Sequence, residues 1–217
     1  VLVGTRCSLH ARMGMKVIKR KLPMYLEKPI TTNYADLYQL REVGLKHSKK
    51  IVVSFPLRLT NLCQETKKII DSGELGRIEH VQAWNNVPYG GCYYHAWYRD
   101  ETETGGLFLQ KATHDFDYIN YLLGFKPVYI AAMKSKQIFK GNRPAGLKCD
   151  ECKEWEQCLE SPFHIFNSSG EADRVRPNGQ LCCFAKDTGN EDSGSALIEY
   201  DTGMHVSYSQ NFFARKG

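Results

Sequence analysis

One stretch limits the folds open to this chain more than any other: Met24-Tyr25-Leu26-Glu27-Lys28-Pro29, followed by Ile30-Thr31-Thr32-Asn33. A short apolar run delivers an acid, a lysine and a proline, and a capped helix begins just beyond. A run of that length reads as a buried parallel strand. Open α/β sheets place their ligands at the carboxyl ends of such strands, which sets Lys28 apart from an ordinary surface lysine.

The neighbouring segments repeat the pattern. Val1-Leu2-Val3-Gly4 is a strand, and Thr5 to Ser8 a turn. Ser8 is placed to cap a helix running to about Arg20, with Met13, Val17 and Ile18 as its apolar stripe. A second helix is predicted from Asn33 to about Lys46, with Asn33 and Asp36 as a capping pair. Ile51 to Phe55 is a further strand. Strand, helix, strand, helix, strand is the signature of a parallel sheet with crossover helices.

After Phe55 the character changes. Thr60 or Asn61 opens a helix that Gly73 closes. Longer strands are then predicted at Ile78 to Asn85, Val128 to Phe139, Ala196 to Tyr200 and Met204 to Phe213. Asp201-Thr202-Gly203 reads as the hairpin turn between the last two. A helix from about Thr113 to Leu123 interrupts them, with Phe116, Ile119, Leu122 and Leu123 inward and Gly124 at its end. The predicted fold class is therefore α/β followed by α+β: half of a doubly wound domain over residues 1–56, then an open, mostly antiparallel sheet over 57–217.

Composition excludes several classes of function. Hydrophobic residues at 42% and charged residues at 24% are ordinary for a globular protein. The net charge of +5 is spread along the chain, and the clusters Lys16 to Lys21 and Lys46 to Lys50 fall at helix ends, so nucleic acid is not expected as a partner. No apolar run approaches the roughly 18 residues of a membrane span. Asn167-Ser168-Ser169 fits a glycosylation acceptor by pattern alone.

Four stretches in register carry a family resemblance: Glu27-Lys28-Pro29; Leu57-Arg58-Leu59-Thr60; Ile69-Ile70-Asp71-Ser72-Gly73-Glu74-Leu75-Gly76; and Gly105-Gly106 through Lys111-Ala112-Thr113-His114-Asp115-Phe116-Asp117, with Leu122-Leu123-Gly124 after it. Together they resemble the glucose–fructose oxidoreductase / inositol dehydrogenase (Gfo/Idh/MocA) family. The resemblance implies a Rossmann domain followed by a large open-faced sheet. It also implies hydride transfer between NAD or NADP and a sugar or cyclitol hydroxyl carbon, a cytoplasmic setting and a homo-dimer or homo-tetramer. It further implies that this chain begins near the fourth Rossmann strand and stops short of the usual C-terminal end. The pyrophosphate fingerprint Gly-x-Gly-x-x-Gly is absent from the sequence. Two other readings remain open: a glycosidase of the same family that uses NAD transiently, and a non-catalytic relative that binds a sugar or a protein.

By the same resemblance Lys28 and His114 are catalytic. A lysine cation beside an alcohol stabilises developing alkoxide, and a neutral imidazole accepts the hydroxyl proton. Many family members carry an aspartate four residues before the histidine. Here Gln110 takes that place, with Lys111 beside it as a further catalytic or substrate-binding candidate. Thr5, His10, Glu27, Lys28 and Pro29 are the cofactor-side candidates. Arg58, Trp97, Arg99, Lys111 and His114 are the substrate-side ones, although an ion pair explains Arg58 equally well. Tyr94, His95, Trp97 and Arg99 form an aromatic and basic run that either lines a sugar cleft or packs in a core.

The cysteines divide into two sets. Cys7, Cys63 and Cys92 are scattered, whereas Cys149, Cys152 and Cys158 are clustered, with Cys182 or Cys183 available as a fourth ligand. A Cys-x-x-Cys pair with further thiols is half of a zinc pattern, so a structural zinc is expected as an additional cofactor, against free thiols as the alternative.

Overall fold

The computed structural model describes residues 1–88, 90–162, 164 and 180–214. The Asn167-Ser168-Ser169 tripeptide lies outside the described residues.

The first part of the chain builds a three-stranded parallel sheet from β1 (Leu2–Val3), β2 (Met24–Leu26) and β3 (Ile51–Val53), in that spatial order. Leu2 pairs with Tyr25, and Met24 with Ile51. Two crossover helices, α1 (His10–Lys19) and α2 (Tyr34–Leu45), supply Ala11, Val17, Ile18 and Leu40 to a core shared with Val3, Met24 and Leu26. Gly14 lets α1 lie close to β2: a Cβ there would already touch Met24 Cε at 3.5 Å. The Asn33 side chain accepts the Asp36 N–H at 2.8 Å and so caps α2 as expected.

Two expectations fail here. Ser8 does not cap α1, because the chain first forms a 3-10 turn over Cys7–Leu9 and the Ser8 hydroxyl instead donates to Glu103. Nor are the strands buried on both faces. α1 and α2 cover one face, so Leu2 (82% exposed) and Val52 (58%) point outward.

Beyond β3 the order is α3 (Asn61–Asp71), β4 (His80–Asn86), the short helices α4 (Gly91–His95), α5 (Glu101–Thr104) and α6 (Leu107–Gln110), then α7 (Ala112–Leu123), β5 (Pro127–Ser135), β6 (Ser193–Tyr200) and β7 (His205–Asn211). Thr60 caps α3 by accepting from the Cys63 N–H, and Gly124 ends α7 in the left-handed conformation (φ 72°). The four strands form a second sheet in the order β4-β7-β6-β5.

β6 and β7 are a hairpin closed by the Gly203 N–H on the Tyr200 carbonyl, with Gly203 at φ 81°. β5 is antiparallel to β6, since Asp192 bonds to Ser135 while Asp201 bonds to Lys126. β4 runs parallel to β7: His80 stacks on His205, and Val87 donates to Asn211. Alternation along β6 buries Ala196, Ile198 and Tyr200 and exposes Ser195, Leu197 and Glu199, which leaves one face of the sheet open.

The chain divides into two compact units, one of residues 1–83, 102–132 and 195–208, the other of 84–101, 133–194 and 209–217. In the first, α7 buries Ala112, Ile119 and Leu123 against Ile198, Val206 and Tyr208. Each buried Ile, Leu or Val side chain among them stabilises the fold by about 1.5–3 kcal/mol. The Tyr208 and Tyr200 hydroxyls donate to Asp115 and Asn120 on α7, both at 2.6 Å. In the second unit Tyr94 is fully buried on Phe139, and the Asp192 carboxylate accepts the successive N–H groups of Gln137, Ile138 and Phe139.

Candidate active site

The site forms at the carboxyl end of β2. Glu27-Lys28-Pro29 follows that strand with a cis Lys28–Pro29 peptide bond. The Lys28 side chain is buried (9% exposed) and donates from Nζ to the Gln110 carbonyl at 2.6 Å. That carbonyl is available because α6 ends there. Gly105 and Gly106 turn the chain at positive φ, α6 makes a single turn, and α7 begins immediately after Lys111. A side chain at Gly105 would be strained by the positive φ and crowded: a Cβ would lie 2.9 Å from Leu109 Cδ2 and 3.1 Å from the Thr32 carbonyl oxygen.

His114 stands in the first turn of α7, its ring edge-on to Phe55 at 6.2 Å between centroids. Burial, reinforced by the Lys28 and Lys111 charges, lowers its pKa to about 4. The imidazole is therefore neutral near pH 7. Burial likewise lowers the Lys28 amine to about 8, with Cys7 opposing and Lys111 reinforcing the shift. The structure thus brings Lys28, Lys111 and His114 into one electrostatic neighbourhood, with Lys28 still mostly charged where His114 is already neutral. Two groups titrating this far apart are suited to opposite roles in proton transfer.

Sequence reasoning missed the part played by Gln110. Its main chain holds Lys28, and its buried side-chain Oε1 has no protein partner; nor has the buried Nδ1 of His114. Buried polar atoms without partners are rare and call for water or a ligand. The only clue was Gln110 standing where an aspartate is common, which said nothing about its main chain.

The cofactor-side candidates fall around β1 and β2. Thr5 is exposed after β1, Glu27 is half-buried, and Pro29 is buried. His10 is 1% exposed and both of its nitrogens are committed, Nδ1 2.7 Å from the Pro29 carbonyl oxygen and Nε2 2.9 Å from that of Thr5. Its contribution is to fix these two turns, not to reach a ligand. A cavity of about 570 Å³ beneath α2, lined by Met24, Leu26, Leu37, Leu40, Ile51 and Val53 among others, holds none of the site's polar groups.

Among the substrate-side candidates, Arg58 is bound to Asp117 on α7 through both Nε, at 2.7 Å, and Nη2. Trp97 and Arg99 belong to the second unit. Trp97 stacks on Tyr98, and Arg99 (3% exposed) bonds to Asp187, Thr188 and the Cys182 carbonyl. The Tyr94 hydroxyl donates to the Glu191 carbonyl, and the His95 nitrogens lie against the Leu181 and Glu160 carbonyl oxygens. Tyr94, His95 and Arg99 are thus core in that unit, and Trp97 is half-buried.

Cys149, Cys152, Cys158 and Cys182 are free thiols, and among the described residues no three His, Cys, Asp or Glu side chains are arranged ready for a metal ion.

A parallel strand-helix array followed by an open mixed sheet thus carries a buried lysine just after β2 and a neutral histidine in the first turn of α7. Comparison with known proteins makes this specific. The GFO/IDH/MocA C-terminal domain model matches residues 63–217, and the chain belongs to that family. It is 26% identical to the protein YteT of Bacillus subtilis, over 99% of this chain and 55% of that one. It is also 26% identical to an inositol 2-dehydrogenase of Rhizobium meliloti, over 67% of this chain and 43% of the relative. An NAD-binding oxidoreductase from Klebsiella pneumoniae superposes with a TM-score of 0.71 at 18% identity, covering 100% of this chain and 48% of that one. The chain spans about half the length of the curated relatives it matches. Among the described residues no helix is long and apolar enough to cross a membrane.

Proposed function

We propose that this chain belongs to an NAD(P)-dependent oxidoreductase that acts on a hydroxyl carbon of a sugar, sugar derivative or cyclitol. The observation that carries the reading is the buried, charged Lys28 beside a neutral His114 and the unpartnered Gln110 Oε1. This arrangement matches a polyol, which both donates and accepts hydrogen bonds. The names of the inositol 2-dehydrogenase relative and the NAD-binding structural neighbour support the same class.

The nicotinamide, when bound, supplies the hydride acceptor, and Thr5, Glu27, Lys28 and Pro29 at the ends of β1 and β2 are the residues that would hold it. The chain's own residues do the rest. Lys28 directs its ammonium at the hydroxyl oxygen and stabilises the negative charge that develops there. The free lone pair of the neutral His114 imidazole accepts the hydroxyl proton. Lys111 adds to the burial and the Lys28 charge that keep His114 neutral, and offers a second cation to substrate oxygens. Gln110 Oε1 accepts from a neighbouring hydroxyl, and Phe55 shields one edge of the imidazole from water.

We place the boundary between the two parts at the turn after Phe55, giving a dinucleotide-binding portion over 1–56 and a substrate portion over 57–217. A homo-oligomer in the cytoplasm is the accompanying expectation, checked by light scattering and cell fractionation. The functional reading is tested on the full-length protein by following reduced-nicotinamide absorbance across a panel of cyclitols and aldoses. Turnover that disappears in Lys28→Ala supports it. The absence of both turnover and cofactor binding overturns it.

A further inference from the structure

The cavity beneath α2 lies apart from the site's polar groups, and strand register explains its floor. Met24 pairs with Ile51 and Leu26 with Val53, so these four side chains leave the same face of the parallel sheet. The roof is α2, where Leu37, Leu40, Arg41, Gly44 and Leu45 line the space at helical spacing. Of the 12 residues of α2 only Leu40 is fully buried. Gly44 puts no side chain under the helix, and the nearest atom a Cβ there would meet is Ile51 Cδ1, at 3.9 Å. The space left open is about 570 Å³. Small-molecule pockets run from roughly 300 to 1,000 Å³ and are mostly apolar with a few placed polar groups.

Two polar lining residues, Tyr38 and Arg41, stand three apart on α2 and so converge on one part of the cavity. Among the described residues neither the Tyr38 hydroxyl nor the Arg41 guanidinium has a hydrogen-bond or ion-pair partner. Both can donate, and a guanidinium does nothing else. The charge around them has the same sign. Lys46, Lys49 and Lys50 follow α2, and among the described residues none of them meets a carboxylate; Lys50 Nζ donates to the Lys21 carbonyl at 3.3 Å. Of the acids on α2, Asp36 is engaged by Asn33 Nδ2 at 2.9 Å, which leaves Glu42 alone against four cations. The negative end of the helix dipole amounts to about half a charge and does not reverse this balance.

We propose that this cavity is a second binding site, for an aliphatic monocarboxylate whose alkyl chain lies between the sheet and α2 and whose carboxylate meets Arg41 and the Tyr38 hydroxyl. The helix from Leu37 to Leu45 spans about 12 Å, the reach of a medium-length alkyl chain. Such a chain needs no hydrogen bonds along its length, and Met24, Leu26, Ile51 and Val53 offer none. A ligand with polar groups along its body would leave them unpaired against that floor. Leu26 and Ile30, both in the lining, stand two residues before and two after Lys28. An occupant therefore touches the strand that presents the amine, from a cavity that neither Gln110 nor His114 lines.

The test needs no substrate, so its failure is separate from failure of the oxidoreductase reading. Full-length protein is titrated calorimetrically with three probes: decanoate, decyltrimethylammonium as a cation with the same chain, and acetate as the anion without one. The expected result is about one decanoate per chain and no saturable binding of the other two. Arg41→Gln, a change at an exposed residue, should weaken decanoate by about tenfold or more, the range for a hydrogen bond to a charged group. Gly44→Leu fills the cavity from a helical position where leucine is the better helix former. Binding should vanish there while the melting temperature holds or rises. Should Gly44→Leu unfold the protein, Arg41→Gln alone decides. No decanoate binding, equal binding of the ammonium, or binding that both variants leave untouched overturns the proposal. So does displacement of decanoate by reduced nicotinamide dinucleotide, which would put the probe in the candidate active site. Recruitment to phosphatidylglycerol vesicles without decanoate binding would assign the cations to a membrane surface and overturn it as well.

Discussion

Arg58 grips Asp117 through two nitrogens, so the turn that follows β3 is tied directly to the helix that carries His114. The guanidinium also lies over the Phe55 ring at 5.6 Å and the Tyr121 ring at 5.3 Å. Phe55 is the ring that meets His114 edge-on. Arg58 therefore bears on the site through packing, and it has a carboxylate partner of its own.

Removing Arg58 leaves the Asp117 side chain, 8% exposed, without its cation. We expect Arg58→Ala to destabilise the protein by about 1–3 kcal/mol in urea unfolding, the range for a buried polar group left without its partner. Asp117→Asn is expected to cost less, because the arginine that remains is 42% exposed and can turn to water. Equal effects would argue that the pair contributes packing alone.

Lys28 should govern turnover more than binding. In Lys28→Ala we expect kcat to fall by roughly 10²–10³-fold, as when a single oxyanion donor is removed, with a far smaller change in cofactor affinity. Lys28→Gln can replace the hydrogen bond to the Gln110 carbonyl without the charge. A rate restored by Gln would show that the positive charge is not what matters.

The pH profile follows from the two shifted groups. The productive form has His114 neutral, which holds above about 4, and Lys28 charged, which holds below about 8. We expect kcat/KM to be level between these limits and to fall on both sides. For stability the sign is opposite to that of a salt-bridged histidine. Its depressed pKa leaves stability intact above the ordinary value of 6.5 and removes it as pH falls through 6.5 towards 4. A thermal scan across that window in His114→Asn should lose this acid-side slope.

Lys111 pushes both groups in the same direction. Replacing it with methionine removes a like charge from beside both Lys28 and protonated His114, so both limbs of the rate profile should move to higher pH. A profile that stays in place would mean that solvent screens Lys111 from the site.

At Gly105 the geometry works against a side chain. Both the positive φ and the 3.1 Å approach to the Thr32 carbonyl act against a Cβ. We expect Gly105→Ala to destabilise by about 1–2 kcal/mol, the magnitude of a left-handed non-glycine residue. It should also loosen Lys28, since α6 begins at the next residue but one. A fall in melting temperature that leaves kcat unchanged would separate these effects.

Much of this architecture was legible because it is local. The Asn33–Asp36 cap, the Gly124 stop and the Asp201–Gly203 turn each depend on residues within a few positions, and each formed where periodicity and turn chemistry placed it. What escaped notice depends on partners distant in sequence. Ser8 has the chemistry of a cap, but its hydroxyl is taken by Glu103. Arg99 and Tyr94 look like cleft residues, yet the first is enclosed by Asp187 and Thr188 and the second by Phe139. The parallel pairing of β4 with β7 joins strands that hydrophobic alternation cannot orient. The short helices α4, α5 and α6 are too brief for any periodicity to register.

The hydrogen bond that positions Lys28 ends on a main-chain oxygen. No substitution at position 110 other than one that breaks α6 can delete that acceptor. The side chain at the same residue is free to vary, and its Oε1 is one of the atoms left without a partner. One residue thus separates two demands: its backbone keeps the Lys28 amine in place, and its side chain can change without touching that hold. Sequence change at position 110 can therefore alter the lining beside Lys28 while the anchor of its amine stays where it is.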